Sequence, residues 1–504
     1  MKQKIEKYIL EIIVFICGAA IMVLELIAAR VLSPYVGSSN VIWTSIIGVI
    51  LISMSLGYWY GGKLADKTPK RNLLSNIILL SAILTSFIPI LETSVIKQLA
   101  LLIPNLGIVA ILSSLLVFAI PSFLLATISP YAIRLKEVGT ENIGKTSGKL
   151  SAFSTLGSIV GTFLSGFVLI PNLGVKNIIL GLTIILLLLA IFIYENKTKK
   201  YYCYVLVCII CILTLLYLGR YIFKQENPDI ILDTDSEYSR IWIKKQEING
   251  KTYKMLQVDT GLESYIDEET KKMGAKYLEY YDLFKYFNNE AKNTLLIGGA
   301  AYTYPRHYLE KYPNNTIDVV EIDKKMTELA KEYFELQENP RLGIYHQDGR
   351  TYLNSCSKKY DAIFVDAFKG LSVPFELTTL EATNKISQAL TDNGVVITNI
   401  LGSLEGKDSE FLKMEYETYK KVFPTVLVYQ VAPNIDINRK QNFILVGSKK
   451  GNFELEESAE YKELLSNERK ISDTLGQYLT DDYAPVEWKN KWKLNEILIN
   501  PLKS

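Results

Sequence analysis

Apolar residues follow two patterns along the chain. Up to about residue 224 they come in long unbroken runs, and beyond it in short bursts between charged stretches. A helix needs about 20 apolar residues to cross the roughly 30 Å hydrocarbon core of a bilayer. Seven runs are long enough: about 8–31, 39–61, 72–91, 106–133, 148–171, 176–195 and 201–222. The first is too long, and too polar at its end, to be a cleaved signal peptide. The pattern predicts a multi-pass α-helical transmembrane domain over 1–224, seated in the lipid bilayer of the cell membrane.

A short linker at 225–229 leads into strands. The run 230–258 alternates, and Asn249-Gly250 between its halves is a hairpin signal, because both turn positions need positive φ. A small β-hairpin domain with its linker is expected over 225–276, and a Tyr-rich helix at 277–287. Apolar runs at 294–297, 317–320, 343–346, 361–365, 394–399, 424–429 and 442–446 then alternate with helical stretches. That rhythm predicts an α/β doubly wound, largely parallel sheet forming a Rossmann-like domain over 277–504. Ligands of such sheets lie beyond the carboxyl ends of the strands. Gly298, Glu321, Asp348 and Asp366 each follow a strand end.

Charge adds a direction to the apolar runs. Lys2, Lys4 and Lys7 precede the first; Lys63, Lys67, Lys70 and Arg71 follow the second. Arg134, Lys136, Lys145 and Lys149 follow the fourth, and Lys197, Lys199 and Lys200 the sixth. The other loops are nearly bare of positive charge, so the N-terminus and the even loops read as cytoplasmic. Seven spans then leave everything after Phe223 outside the cell. A nucleoside-using catalytic domain is instead expected in the cytosol, where such ligands are made. The stretch 94–135, broken by Pro104 and Pro121, is where a span is most easily miscounted. Gly157 and Gly161 have the GxxxG spacing of close helix packing. Glu25 and Arg30 read either as a functional intramembrane pair or as an interfacial pair near a helix end.

Candidate chemistry concentrates in 293–323. An apolar strand ends in Gly298-Gly299-Ala300-Ala301, a helix follows, and a second strand ends in Glu321-Ile322-Asp323. Small residues let a ligand approach the backbone, and an acid about 20 residues on suits a ribose hydroxyl pair. A dinucleotide fingerprint would need glycine where Ala300 and Thr303 stand, which points to a nucleoside lacking a pyrophosphate. An ordinary βαβ unit with a tight turn is the plain alternative. The net charge of +2 over 504 residues gives no signal for nucleic acid. The five cysteines, Cys17, Cys203, Cys208, Cys211 and Cys356, show neither a disulfide framework nor zinc spacing. With only His307 and His346, no metal site is expected and a Ser-His-Asp triad has little support.

In order and spacing, these residues resemble the spermidine synthase (polyamine aminopropyltransferase) family, which has the class I methyltransferase fold. The whole chain is similar to its membrane-fused members. The resemblance runs from about Asp235 to Glu487 and includes Gly298-Gly299-Ala300, Glu321, Asn339-Pro340-Arg341 and Asp348-Gly349-Arg350. It continues through Asp366 in IFVDAF, Leu377-Thr378-Thr379 and Thr480-Asp481-Asp482-Tyr483-Ala484-Pro485. It implies donor contacts from Gly298, Gly299, Glu321, Asp348, Gly349 and Glu263, a catalytic Asp366, and acceptor contacts from Tyr277 and Glu279. The chain departs from the family at Ala301, where an acid is expected near the donor's tail, and at Lys369, the second aspartate of the active-site loop. Glu263-Ser264 stands for Gln-Ser, and Tyr277-Leu278-Glu279 for Tyr-His-Glu.

The resemblance implies transfer of an aminopropyl group from decarboxylated S-adenosylmethionine to a diamine, releasing methylthioadenosine. A second reading follows from the departures: Lys369 near the carboxylate of intact S-adenosylmethionine would allow cyclisation to homoserine lactone. A nucleoside-sensing transporter is a third, non-enzymatic reading, and methyl transfer a weaker fourth. All imply a small-molecule ligand and no permanently bound cofactor, and they leave a homodimer open.

Overall fold

The computed structural model describes the chain except residues 1, 137–142, 196–197, 199–200, 204, 211, 214–216, 218–228, 368–372, 407, 452–459, 473, 475 and 487–504. It divides into two compact units, 1–240 and 241–504.

The first unit is a helical bundle. Five helices are long and apolar enough to cross a membrane: Tyr8–Val36, Asn40–Lys67, Arg71–Leu91, Ile143–Asn172 and Val175–Ile193. Leu106–Val117 and Ala119–Lys136 pass the same test as a pair bent by 53°, which makes up to six. The bend has a local cause. A proline ring clashes with the carbonyl four residues back, and four residues before Pro121 is Val117, where the first member of the pair ends. The seventh expected run, 201–222, lies partly outside the described residues; Tyr201–Ile210 is a short apolar helix. Close packing at the GxxxG pair is as expected. A Cβ on Gly157 would lie 2.0 Å from the Phe15 carbonyl oxygen, and one on Gly161 2.5 Å from that of Ala19. This unit ends in strand β1 (Ile230–Asp235).

The second unit opens with antiparallel strands β2 (Arg240–Ile248), β3 (Lys251–Val258) and β4 (Gly261–Asp267). Asn249 and Gly250 turn the chain between β2 and β3 at φ 52° and 77°, the mirror-type turn that the dipeptide predicts. The expected helix at 277–287 is 3-10 over Lys276–Leu283 and α only over Phe284–Phe287. The correction fits its burial: Leu278, Tyr280, Tyr281, Leu283 and Phe284 are all buried, a spread too wide for one stripe of an α-helix.

The main sheet follows: β5 (Asn293–Ile297), β6 (Thr316–Val320), β7 (Leu342–Tyr345), β8 (Tyr360–Val365), β9 (Leu390–Gly402), β10 (Thr425–Gln430), β11 (Gln441–Ser448) and β12 (Glu468–Arg469). Their order is β12-β10-β11-β9-β8-β5-β6-β7. The five strands β5 to β9 pair in parallel, whereas β10, β11 and β12 enter antiparallel. This is the class I methyltransferase-like arrangement, a doubly wound sheet whose strand order reverses between β5 and β8. Alternation along the strands builds a core on each face. Leu296 and Phe364 face an aromatic cluster that includes Tyr281, Phe284, Tyr304 and Tyr308. Leu295, Ile297, Ile363 and Val365 face the other core. Tyr281 lies 5.2 Å from Phe364 and 5.1 Å from Tyr304, ring centre to ring centre. Such pairs add about 0.5–1.5 kcal/mol each beyond area burial.

Candidate active site at the β5–β8 switch point

Strand order reverses between β5 and β8, the kind of place where ligands of doubly wound sheets bind, and the chain is constrained there. The Asp366 N–H donates to the Ile297 carbonyl at 2.8 Å, holding the two strand ends together. A Cβ on Gly298 would sit 2.0 Å from the Asp366 carbonyl oxygen, and Gly298 has φ +98°. Only glycine meets both demands. Ala300 and Tyr302 follow at φ 44° and 55°, a region that costs a non-glycine residue energy and is often seen in ligand loops.

Glu321, at the end of β6, braces this loop. One carboxylate oxygen accepts from the N–H groups of Gly299 (2.8 Å) and Ala300 (3.0 Å), and the other from Asp323 (2.9 Å). Burial pushes the Glu321 pKa up, and the three N–H groups pull against it. Tyr302 turns inward, fully buried, with its hydroxyl 2.7 Å from that of Thr327. Ala301 is 1% exposed, so no carboxylate arises from that position.

Asp348 caps the helix Gly349–Ser355 by accepting from the Thr351 N–H at 2.8 Å. A Cβ on Gly349 would lie 2.6 Å from Ile297 Cγ2, so glycine lets this helix start against the end of β5. Arg350, Thr379 and Asp481 come from three separate motifs and form one clamp. Arg350 pairs with Asp481 at 2.8 Å, and the Thr379 hydroxyl donates to the same carboxylate at 2.6 Å. Arg341 is structural: it donates to the carbonyls of Leu309, Tyr312 and Asn315, closing the end of the helix Thr303–Lys311.

Around Asp366 two side chains hold the carboxylate. Tyr277 donates its hydroxyl to Oδ2 at 2.9 Å, and Asn399 donates Nδ2–H to Oδ1 at 3.1 Å. The Tyr281 hydroxyl lies close enough to draw the Asp366 pKa down. Even so, burial outweighs these partners and lifts that pKa above its ordinary value. Burial, and then the Asp366 charge, drives the Tyr277 pKa far up, so Tyr277 remains a donor. The Asn399 Oδ1 and Tyr281 hydroxyl are buried and, among the described residues, have no hydrogen-bond partner of ordinary geometry. Buried polar atoms are rarely left unpaired, so these two are suited to receive a ligand.

Gly298, Gly299, Glu321, Tyr277 and Asp366 are thus joined through direct contacts, and Gly349 lies against Ile297 at the end of β5. Glu263 on β4 is close enough to raise the Tyr277 pKa by its charge. Glu279 is placed differently: it is exposed and lines a cavity of about 550 Å³ with Asp282, His307 and Lys311, a lining without Asp366 or Tyr277. His307 pairs with Asp282 at 3.1 Å, a local structural bond. Lys369 lies outside the described residues. Asn399 and Tyr281 were not singled out in the sequence. Asn399 ends the expected strand 394–399, and Tyr281 is one helical turn from Tyr277, so strand-end and spacing rules held the signal.

Residues 281–456 match the family model of the spermine/spermidine synthase domain. A probable polyamine aminopropyl transferase of Bifidobacterium longum is 25% identical over 304 residues, 55% of this chain and 66% of that protein. Polyamine aminopropyltransferase 2 of Aquifex aeolicus is 25% identical over 497 residues, 93% of this chain and 94% of that protein, so the match extends through the helical unit. A probable spermidine synthase of Corynebacterium glutamicum is 21% identical and aligns with a TM-score of 0.43 over 50% of this chain and 96% of its own. The chain spans 52% to 66% of the length of three of the curated relatives that it matches. The matched stretch contains Asp366, Glu321 and the glycine loop, and Tyr277 lies just ahead of it.

Proposed function

We propose that this chain is a membrane-bound polyamine aminopropyltransferase. The observation that carries the reading is Asp366, held by Tyr277 and Asn399 beside the Gly298 loop and within the spermine/spermidine synthase domain. The donor would be decarboxylated S-adenosylmethionine. Its adenosine would lie over Gly298-Gly299, with Glu321 at the ribose hydroxyls and Asp348 and Gly349 beside the base.

The acceptor is a primary amine that arrives protonated. Asp366 takes one ammonium proton, which frees the nitrogen lone pair. That pair attacks the propyl carbon next to the sulfonium. The carbon–sulfur bond breaks with its electrons going to sulfur, and neutral methylthioadenosine leaves. No acid is needed for a neutral leaving group, so the work is positioning and proton removal. The unpartnered Asn399 Oδ1 is an acceptor suited to an N–H of the amine. Tyr277 fixes Asp366 in orientation. Glu263 adds negative charge near a cationic acceptor.

A second reading rests on Ala301, which leaves the donor-tail side of the loop without an acid. That would suit a donor keeping its carboxylate and cyclising onto its own γ-carbon. Mass spectrometry separates the two. Methylthioadenosine from decarboxylated donor plus putrescine, and none from S-adenosylmethionine alone, is the expected outcome. Methylthioadenosine from S-adenosylmethionine alone would move the conclusion to cyclisation, and S-adenosylhomocysteine would move it to methyl transfer.

A further inference from the structure

We infer that the catalytic unit faces away from the cytosol, so that its donor reaches it only after leaving the cytosol. The inference rests on the membrane reading of the helical unit and is drawn from that unit alone.

The bundle has two chemically different ends. At one, Glu11 pairs with Lys136 and with Lys149 (2.8 Å), Asp66 with Arg134 (3.3 Å), and Glu195 with Arg71 (3.3 Å). Lys63, Lys67, Lys70 and Lys145 lie at or beside the same helix ends. At the other, Arg30 donates to the Glu237 carbonyl, Tyr35 to Glu92 (3.5 Å), and Lys176 pairs with Asp233 (3.0 Å). Glu11 and Arg30 lie on one continuous helix, 19 residues apart. At 1.5 Å per residue that is about 29 Å, one hydrocarbon thickness. The basic end is therefore the cytoplasmic one.

The chain's last two fixed points decide the crossing. Glu195 is held at the basic end by Arg71 and by Asn72, which accepts its N–H at 3.0 Å. Residues 233–240 are held at the opposite end. Arg240 is bound bidentately to Asp233 (2.9 and 3.0 Å) and also to Glu92, and Asp235 accepts the Val175 N–H at 3.2 Å. Arg240 and Glu92 are 6% and 2% exposed, so this anchor is no loose surface pair. The two points therefore lie at opposite ends of the helical unit. Ile241 begins the second unit on the side where Arg240 is fixed. The step that immediately supplies the donor is then a transport step, and the polyamine product is released outside.

Impermeant-maleimide labelling of the full chain in intact cells tests this. The substitutions are Glu338→Cys in the second unit and Ser147→Cys at the basic end, each in a background lacking the native cysteines. Labelling of position 338 before lysis, with position 147 protected until lysis, is the expected result. Protection of both positions in a protein that stays in alkali-washed membranes would overturn the sidedness and leave the membrane reading standing. Labelling of position 147 in intact cells would overturn it too. Release of the protein by the alkali wash would overturn the membrane reading itself.

Discussion

The two halves of the candidate site are built by different means. The half proposed for the donor, the donor half, is made of backbone: Gly298 under a carbonyl, Glu321 on three N–H groups, and Gly349 against Ile297. The half proposed for the acceptor, the acceptor half, is made of side chains from distant parts of the unit: Tyr277, Asp366 and Asn399, with Tyr281 close by. In the donor half the polar atoms named here are satisfied within the protein. In the acceptor half the carboxyl of Asp366 is held with a pKa raised by burial, and two buried polar atoms have, among the described residues, no partner of ordinary geometry. The difference suggests that the donor half sets affinity and the acceptor half sets rate.

The largest effect should come from Asp366→Asn. Loss of a general base typically costs about 10²–10⁴-fold in turnover. Methylthioadenosine binding should hardly change, since Asp366 lies in the other half. Stability should hold or rise. A carboxyl whose folded pKa is raised costs stability above that pKa, and the cost vanishes as the group protonates. Turnover assays, calorimetry and thermal unfolding on the variant check all three. Parallel loss of binding and turnover would dissolve the distinction between the halves.

Gly298→Ala should injure both halves, because its Cβ would collide with the Asp366 carbonyl oxygen. Strain at such a position costs more than about 1 kcal/mol. A lower melting temperature with loss of both binding and turnover is the expected signature. Glu321→Ala should cost about 1–3 kcal/mol of methylthioadenosine affinity, the scale of a charged hydrogen-bond partner, with a smaller change in the rate at saturation. An unchanged affinity would place the ribose elsewhere and leave Glu321 as a brace only.

Asn399→Leu should raise the KM for the amine more than that for the donor. The subtlest expected effect is in the pH profile. The proposed base Asp366 would act in its ionised form, and burial lifts its pKa. Turnover should therefore fall, as pH drops, at a pH above the usual carboxylate range. Weakening the partners of Asp366 with Tyr277→Phe should move that limb further up.

The halves also differ in how far the sequence revealed them. Strand ends and small residues mark the donor half within single stretches, so Gly298, Glu321 and Asp348 were legible from patterning. The strands themselves were legible to within a few residues, because burial on both faces makes short apolar runs. The acceptor half is tertiary. Tyr277 and Asn399 meet Asp366 across 89 and 33 residues, and no periodicity encodes such a meeting. The 3-10 geometry of Lys276–Leu283 was hidden for a related reason. Aromatic packing from the sheet, with Phe364 against Tyr281, decides it rather than local propensity.

The account stands most directly on product stoichiometry. Purified full-length protein, given decarboxylated S-adenosylmethionine and putrescine, should yield one aminopropylated amine for each methylthioadenosine, and neither product from the Asp366→Asn variant. Methylthioadenosine without a matching aminopropylated amine, or equal turnover by the variant, would contradict it.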